Sequence, residues 1–210
     1  VNDPVVDANW TLQPGTGTNP RARYSVHFHR DGLVDDGNPA IVHGSAVVDS
    51  PGWGFVNHSS YVEFTENVAF DVTGAAYSTE VGDEIGSFRG NIALKVTGSG
   101  EATDSRTAIQ DFGHQGDGFW FQGTGIAVTD NVSAGSEGNA FVFYTLGLRE
   151  NGVEKTFRAD NLLDPSIANG ASTIKVDFVP VREFSGNIGY ASTVGLTVRY
   201  HLRNAPHQQQ

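Results

Sequence analysis

An asparagine followed by small and apolar residues opens one segment of this chain after another. Asn67-Val-Ala-Phe-Asp-Val-Thr-Gly74, Asn91-Ile-Ala-Leu-Lys-Val-Thr-Gly98, Asn131-Val-Ser-Ala-Gly-Ser-Glu-Gly138 and Asn187-Ile-Gly-Tyr-Ala-Ser-Thr-Val194 share the pattern, and Ser45-Ala-Val-Val-Asp-Ser-Pro-Gly52 is a weaker fifth. Successive segments start 22, 24, 40 and 56 residues apart. Such a repeat points to a solenoid, in which stacked units bury a core that no single unit can bury. The first two spacings fit one coil of a parallel β-helix; the longer two fit a coil carrying an insertion. Asparagine suits a coil corner because it tolerates left-handed backbone better than other non-glycine residues. Stacked asparagines can also bond one another along the axis. The expected fold is all-β: a right-handed, single-stranded parallel β-helix with loop insertions. A β-sandwich also uses short strands and frequent turns, but it predicts no in-phase Asn–apolar–small signature.

Strand-sized runs rich in β-branched and aromatic residues occur at 24–28, 54–57, 61–64, 119–121, 126–128, 141–144 and 194–200. Two polar, turn-rich stretches, near 99–117 and 147–182, read as insertions. The expected organisation is an N-terminal extension or cap over 1–20, the β-helix over 21–203 and a disordered tail over 204–210. A 38% hydrophobic content with 13 phenylalanines is too apolar for a disordered chain. No apolar run approaches the roughly 18 residues of a membrane span. The net charge of −11, with no basic stripe, argues against nucleic acid as a partner. The absence of cysteine excludes disulfides and thiolate metal sites. A chain with no methionine, even at position 1, reads as a processed or excised part of a larger polypeptide, and its cysteine-free composition fits a secreted protein and a cytosolic one alike. Glycosylation sequons start at Asn9, Asn57 and Asn131 and matter only in a eukaryotic secretory pathway.

Aligning the repeats predicts vertical neighbours. Phe55-Val-Asn-His58 falls on Tyr77-Ser-Thr-Glu80, and Phe141-Val-Phe-Tyr144 shares their phase. Phe55, Tyr77 and Phe141 should form an inward aromatic column, with His58, Glu80 and Tyr144 equivalent to one another three residues on. Rungs lie about 4.8 Å apart, so His58 and Glu80 come within reach as an acid–base pair, as metal ligands or as a plain hydrogen-bonded stack. Along Arg21-Ala-Arg-Tyr-Ser-Val-His-Phe-His29, alternation puts Arg23, Ser25, His27 and His29 on one face and turns Tyr24, Val26 and Phe28 to the core. The candidate catalytic residues are His29, His58 and Glu80. Candidate substrate contacts are Arg23 as a carboxylate clamp, His27, Tyr144 and Trp53, the last as a flat surface for a sugar ring, as Trp120 would also be. Asp83 and Glu84 are candidate ligands for calcium or another divalent metal, or else an ordinary solvated acidic loop. His27, His29 and His58, with Glu80 as a fourth ligand, would suit zinc, copper or nickel. No organic cofactor is expected.

These same residues carry a resemblance. Arg23-Tyr-Ser-Val-His-Phe-His29 resembles the Arg-Tyr-Pro-Ile-His-Phe-His signature of the cell-surface hyaluronidase and cell-migration hyaluronan-binding family, and Val56-Asn-His58-Ser resembles its Thr-Val-His-Gly segment. The stretch from Asn67 through Glu80 to Gly82 is similar to its valine-rich coil ending in Thr-Glu-Asp-Gly. Ala134-Gly-Ser-Glu-Gly-Asn-Ala-Phe-Val-Phe143 is similar to its Ala-Gly-Ser-Glu-x-x-Gly-Phe-Trp-Phe coil, and 182–192 to a later one. The likeness covers about residues 21–200 in consistent order. It implies a right-handed parallel β-helix and a polysaccharide partner outside the cell. It further implies hyaluronan binding or cleavage, with a calcium dependence in some members. The chain departs from the family at Trp53, where the family has an arginine, at Ala75, where it has a histidine, and at Val81, where it has an acid. The expected function is a polysaccharide lyase or glycoside hydrolase acting on a glycan such as a glycosaminoglycan. The alternative is a non-catalytic glycan-binding or structural module of a larger surface protein.

Overall fold

The structure, a computed structural model, describes residues 24–99 and 113–202, together with Ala8. Arg23, the expected cap over 1–20, most of the 99–117 insertion and the tail over 204–210 lie outside the described residues.

The chain winds in coils of up to three short strands. The first coil is β1 (Val26–Gly32), β2 (Ala40–His43) and β3 (Ala46–Ser50). The second is one long strand, β4 (Phe55–Thr65), followed by β5 (Val68–Thr73). The third is β6 (Ala75–Thr79), β7 (Ile85–Arg89) and β8 (Ile92–Thr97), and the fourth is β9 (Asp117–Phe121), β10 (Ala127–Thr129) and β11 (Val132–Ser136). After β12 (Asn139–Tyr144) the chain leaves the coil path. It forms an antiparallel hairpin, β13 (Arg149–Glu150) with β14 (Val153–Glu154), and a second antiparallel pair, β15 (Thr156–Arg158) with β16 (Thr173–Lys175). It then returns as β17 (Glu183–Ser185), β18 (Ile188–Tyr190) and β19 (Val194–Arg199).

Equivalent strands of successive coils pair in parallel. Sheet A contains β1, the first part of β4, β6, β9, β12 and β19. Sheet B contains β2, the second part of β4, β7, β10 and β17. Sheet C contains β3, β5, β8, β11 and β18. β4 serves both A and B by turning a corner at Ser59, whose φ is 50°. The arrangement is the parallel β-helix that the repeat predicts.

Inside, the aromatic column is continuous. Phe55 stacks on Tyr77 at 5.0 Å, Tyr77 on Phe119 at 4.7 Å and Phe119 on Phe141 at 4.9 Å, with ring planes within 14° of parallel. Phe119 supplies the rung between Tyr77 and Phe141. Buried aromatic rings contribute most of the apolar area in such a core, and stacking them along the axis repeats one favourable contact per coil.

The corner between sheets B and C is an asparagine ladder. Asn67 donates its side-chain amide to Oδ1 of Asn91 at 3.0 Å, Asn91 to Asn131 at 3.0 Å and Asn131 to Asn187 at 2.9 Å. Each Oδ1 also accepts the backbone N–H one coil below, and the series begins with Ser45 donating to Asn67. The backbone reason differs from the expected one. The left-handed residue is the one before each corner position: Gly44 before Ser45, and Glu66, Gly90, Asp130 and Gly186 before the asparagines, with φ between 55° and 67°. Asparagine holds its place by its hydrogen bonds. Asn57 and Asn131 are fully buried, so neither sequon is open to a glycosylating enzyme in the folded chain.

Sheet C carries a second file of left-handed residues on its surface, among them Asp71 and Lys95. Lys95 Nζ lies 2.5 Å from Asp71 Oδ2, but the lysine side chain is 59% exposed. Solvent screens such a pair, so Lys95→Ala should cost less than about 1 kcal/mol in urea unfolding.

Candidate functional site

The register of sheet A builds the site. His29 pairs with His58, and Asn57 with Thr79, which brings the next residues, His58 and Glu80, side by side. Thr79 pairs with Phe121 and Phe121 with Phe143, so Gln122 and Tyr144 continue the file, and Tyr144 pairs with Arg199. Since Phe55, Tyr77 and Phe119 point inward, this file points outward.

Glu80 is the hub. It is 5% exposed. Oε2 accepts a hydrogen bond from Nδ1 of His58 at 2.9 Å and lies 3.5 Å from Nε2 of His27, while Oε1 accepts from the Tyr24 hydroxyl at 2.5 Å. Burial opposes charge on Glu80, but the donors His27, His58 and Tyr24 outweigh it and hold the carboxyl down at about 2. Burial likewise disfavours charge on His58, yet the hydrogen bond and charge of Glu80 prevail and raise it above the usual imidazole range. Burial and the Glu80 charge push the Tyr24 phenol up, so it stays a hydrogen-bond donor. His29 stacks on His58 with centroids 4.4 Å apart and planes 27° from parallel. Slight desolvation and the neighbouring His58 and His27 hold His29 below its ordinary value.

Tyr24 corrects the strand reading, which turned it to the core. β1 begins at Val26 and Ser25 is a bend, so alternation does not extend back to Tyr24. Its ring lies edge-on to His27 at 4.6 Å, on the outer face. Tyr24 lies within the Arg23–His29 signature, but nothing in that motif assigns it this role. Val26 and Phe28 do pack against the core as expected.

The remaining candidates sit elsewhere. Trp53, Trp120 and Tyr144 are 5–6% exposed and pack with Val56, Ala75 and Val142 in a second apolar cluster. Trp120 stacks on Tyr144 at 5.6 Å, and Trp53 meets Tyr24 at 6.1 Å and His114 at 4.8 Å. Their ring faces are occupied by this packing. Asp83 and Glu84 follow Glu80 in a tight turn. Glu84 Oε1 accepts the N–H groups of Ser59, Glu80 and Val81, and Oε2 that of Gly82. Burial and the adjacent Asp83 push Glu84 up to about 7 against those donors. Both Asp83 oxygens face the Ser59 hydroxyl. Calcium takes six to eight hard oxygens; this pair, tied to its own turn, does not fit it. Glu84 braces the loop that carries Glu80. Glu84→Ala leaves the buried N–H groups of Val81 and Gly82 without an acceptor and should cost about 2 kcal/mol in chemical denaturation.

His27, His29 and His58 each offer a ring nitrogen, and the three atoms lie within 4.8 Å of one another. The insertion flanks the group: Arg30, next to His29, pairs with Glu150 of β13 at 2.7 Å, and Lys155 holds the same carboxylate at 2.9 Å.

A parallel β-helix with a buried carboxylate ordering imidazoles on one outer face defines the class. A family model for the CEMIP beta-helix matches residues 14–196. The chain belongs to that family, which takes its name from the cell migration-inducing hyaluronan-binding protein and is associated with hyaluronan binding and depolymerisation. No curated protein and no solved structure matches the chain. Among the described residues no helix is long and apolar enough to cross a membrane.

Proposed function

We propose that the outer face of sheet A cleaves an extracellular, uronate-containing polysaccharide of the hyaluronan class by β-elimination. The observation that carries this reading is the Glu80 carboxylate, buried and bonded to both His58 Nδ1 and the Tyr24 hydroxyl. Family membership supplies the substrate class.

The donor set favours elimination over hydrolysis. Glycoside hydrolysis uses two carboxylates, one of them protonated, on either side of the bond. Here Glu80 is held ionised, Glu84 is bonded to backbone amides and Asp83 to the Ser59 hydroxyl, so among the described residues no second carboxyl pairs with His27, His29 or His58. Two imidazoles suffice for elimination. One takes the proton beside the uronate carboxylate, the glycosidic C–O bond breaks, and the other protonates the departing oxygen. A carbon–carbon double bond remains in the product, and no water is consumed. Glu80 orients His58 and fixes its tautomer, and in this reading His29, the more open ring, takes the proton.

The test is incubation with hyaluronan, chondroitin, pectate and alginate, reading chain length and the absorbance of the unsaturated product. Cleavage is expected with one of them. Combining His58→Ala with Glu80→Ala should lower the rate by ~10²–10⁴-fold. Full activity in that double variant, or no cleavage under any condition, overturns the assignment. A binding module is the second reading, favoured by Trp53, which stands where family members have an arginine and is packed away. Saturable retention on a glycan array without turnover would establish it.

A further inference from the structure

We infer that His27, His29 and His58 form a binding site for a divalent transition metal of the zinc, nickel or copper type. Three observations converge. The ligand nitrogens already lie within 4.8 Å of one another, so small side-chain rotations bring them onto one ion. His58 donates Nδ1–H to Glu80, and its other nitrogen, Nε2, is buried with no hydrogen-bond partner among the described residues. A buried, unpartnered ring nitrogen costs free energy unless something binds it. The carboxylate behind His58 is also the usual support of a metal-bound imidazole: it fixes which nitrogen is free and makes that nitrogen a better donor.

The chemistry of the donors selects the ion. Three neutral nitrogens suit zinc, nickel or copper and not calcium or magnesium, which take oxygen. Three imidazoles leave a fourth position for solvent or a ligand, and the exposed rings of His27 and His29 place it on the open side. The inference does not rest on the proposed sugar chemistry. Metal ligation and proton transfer compete for the same His58 lone pair.

The experiment uses the whole chain, stripped with chelator and titrated with cobalt(II) alone. Saturable, stoichiometric binding with the strong visible absorption of a tetrahedral nitrogen site is expected. Loss of that spectrum is expected in His29→Ala, an exposed position whose folding is checked by circular dichroism. Glu80→Gln should bind about 10–100-fold more weakly. No stoichiometric uptake by the folded wild type, or an unchanged spectrum in His29→Ala, overturns the site. Polysaccharide cleavage plays no part in this readout, so a failed elimination assay leaves it standing. Elimination that requires the added ion would support the site and reassign the rings from proton carriers to ligands.

Discussion

Asn91→Ala should lower the unfolding free energy by about 4 kcal/mol, several times the cost of an ordinary surface substitution. Asn91 is fully buried and occupies four hydrogen bonds. Its Oδ1 accepts from the backbone and side-chain nitrogens of Asn67, and its Nδ2 donates to Phe64 O and to Asn131 Oδ1. Alanine removes all four and strands the Asn67 N–H and the Phe64 carbonyl in the interior. Each orphaned group costs about 1–3 kcal/mol. Asn91→Asp should be no better, because a second oxygen then faces two acceptors. Asn187→Ala, at the end of the ladder and only half buried, should cost roughly half as much. The measurement is urea unfolding of the three variants, read as a change in midpoint at constant slope. Equal, small losses for Asn91 and Asn187 would show that the ladder is not cooperative along the axis.

The repeat made the architecture legible, because one residue type recurs wherever the coil needs the same pair of hydrogen bonds. The His58–Glu80 contact was legible for a related reason. Phe55 and Tyr77 are one coil apart with nothing inserted, so counting residues is the same as counting rungs. Phe119 shows where counting fails. The insertion before β9 breaks the phase, and its place between Tyr77 and Phe141 emerges only from the register. Tyr24 was hidden because it precedes its strand, where alternation says nothing about direction. Glu84 was hidden differently: its partners are backbone N–H groups, which leave no mark on the sequence. The tryptophans read equally well as sugar platforms or as packing, and aromatic character alone does not separate the two. In the structure Leu146, two residues after β12, packs against the Trp53, Trp120 and Tyr144 cluster, a contact that leaves no mark on the sequence.

Glu80 should give the metal-free protein a steep acid limb of stability that Glu80→Gln abolishes. The folded carboxyl sits at about 2 against an ordinary 4.5. The lowered value means that the folded state holds the charged form more tightly than the unfolded chain does. Stability from this source is therefore fully present above about pH 4.5 and is lost as the pH falls toward 2. At about 1.4 kcal/mol for each tenfold change, the difference amounts to roughly 3 kcal/mol. The group is almost fully buried, so solvent screening takes little from that figure. His58 carries the complementary dependence. Its raised value means that its contribution is present below its ordinary value and is lost as the pH climbs through the folded one. Charged, paired Glu80 and His58 together should thus give a stability maximum on the mildly acidic side of neutrality. Denaturation midpoints measured in chelator between about pH 3 and 8 should show that maximum in the wild type and a flatter profile in Glu80→Gln. The glutamine cannot titrate and offers His58 a neutral acceptor. An acid limb of the same depth in both proteins would place the proton uptake on other carboxyls and leave Glu80 without its ionised role. The histidine face would then lack the fixed charge that orients His58 and holds the Tyr24 hydroxyl.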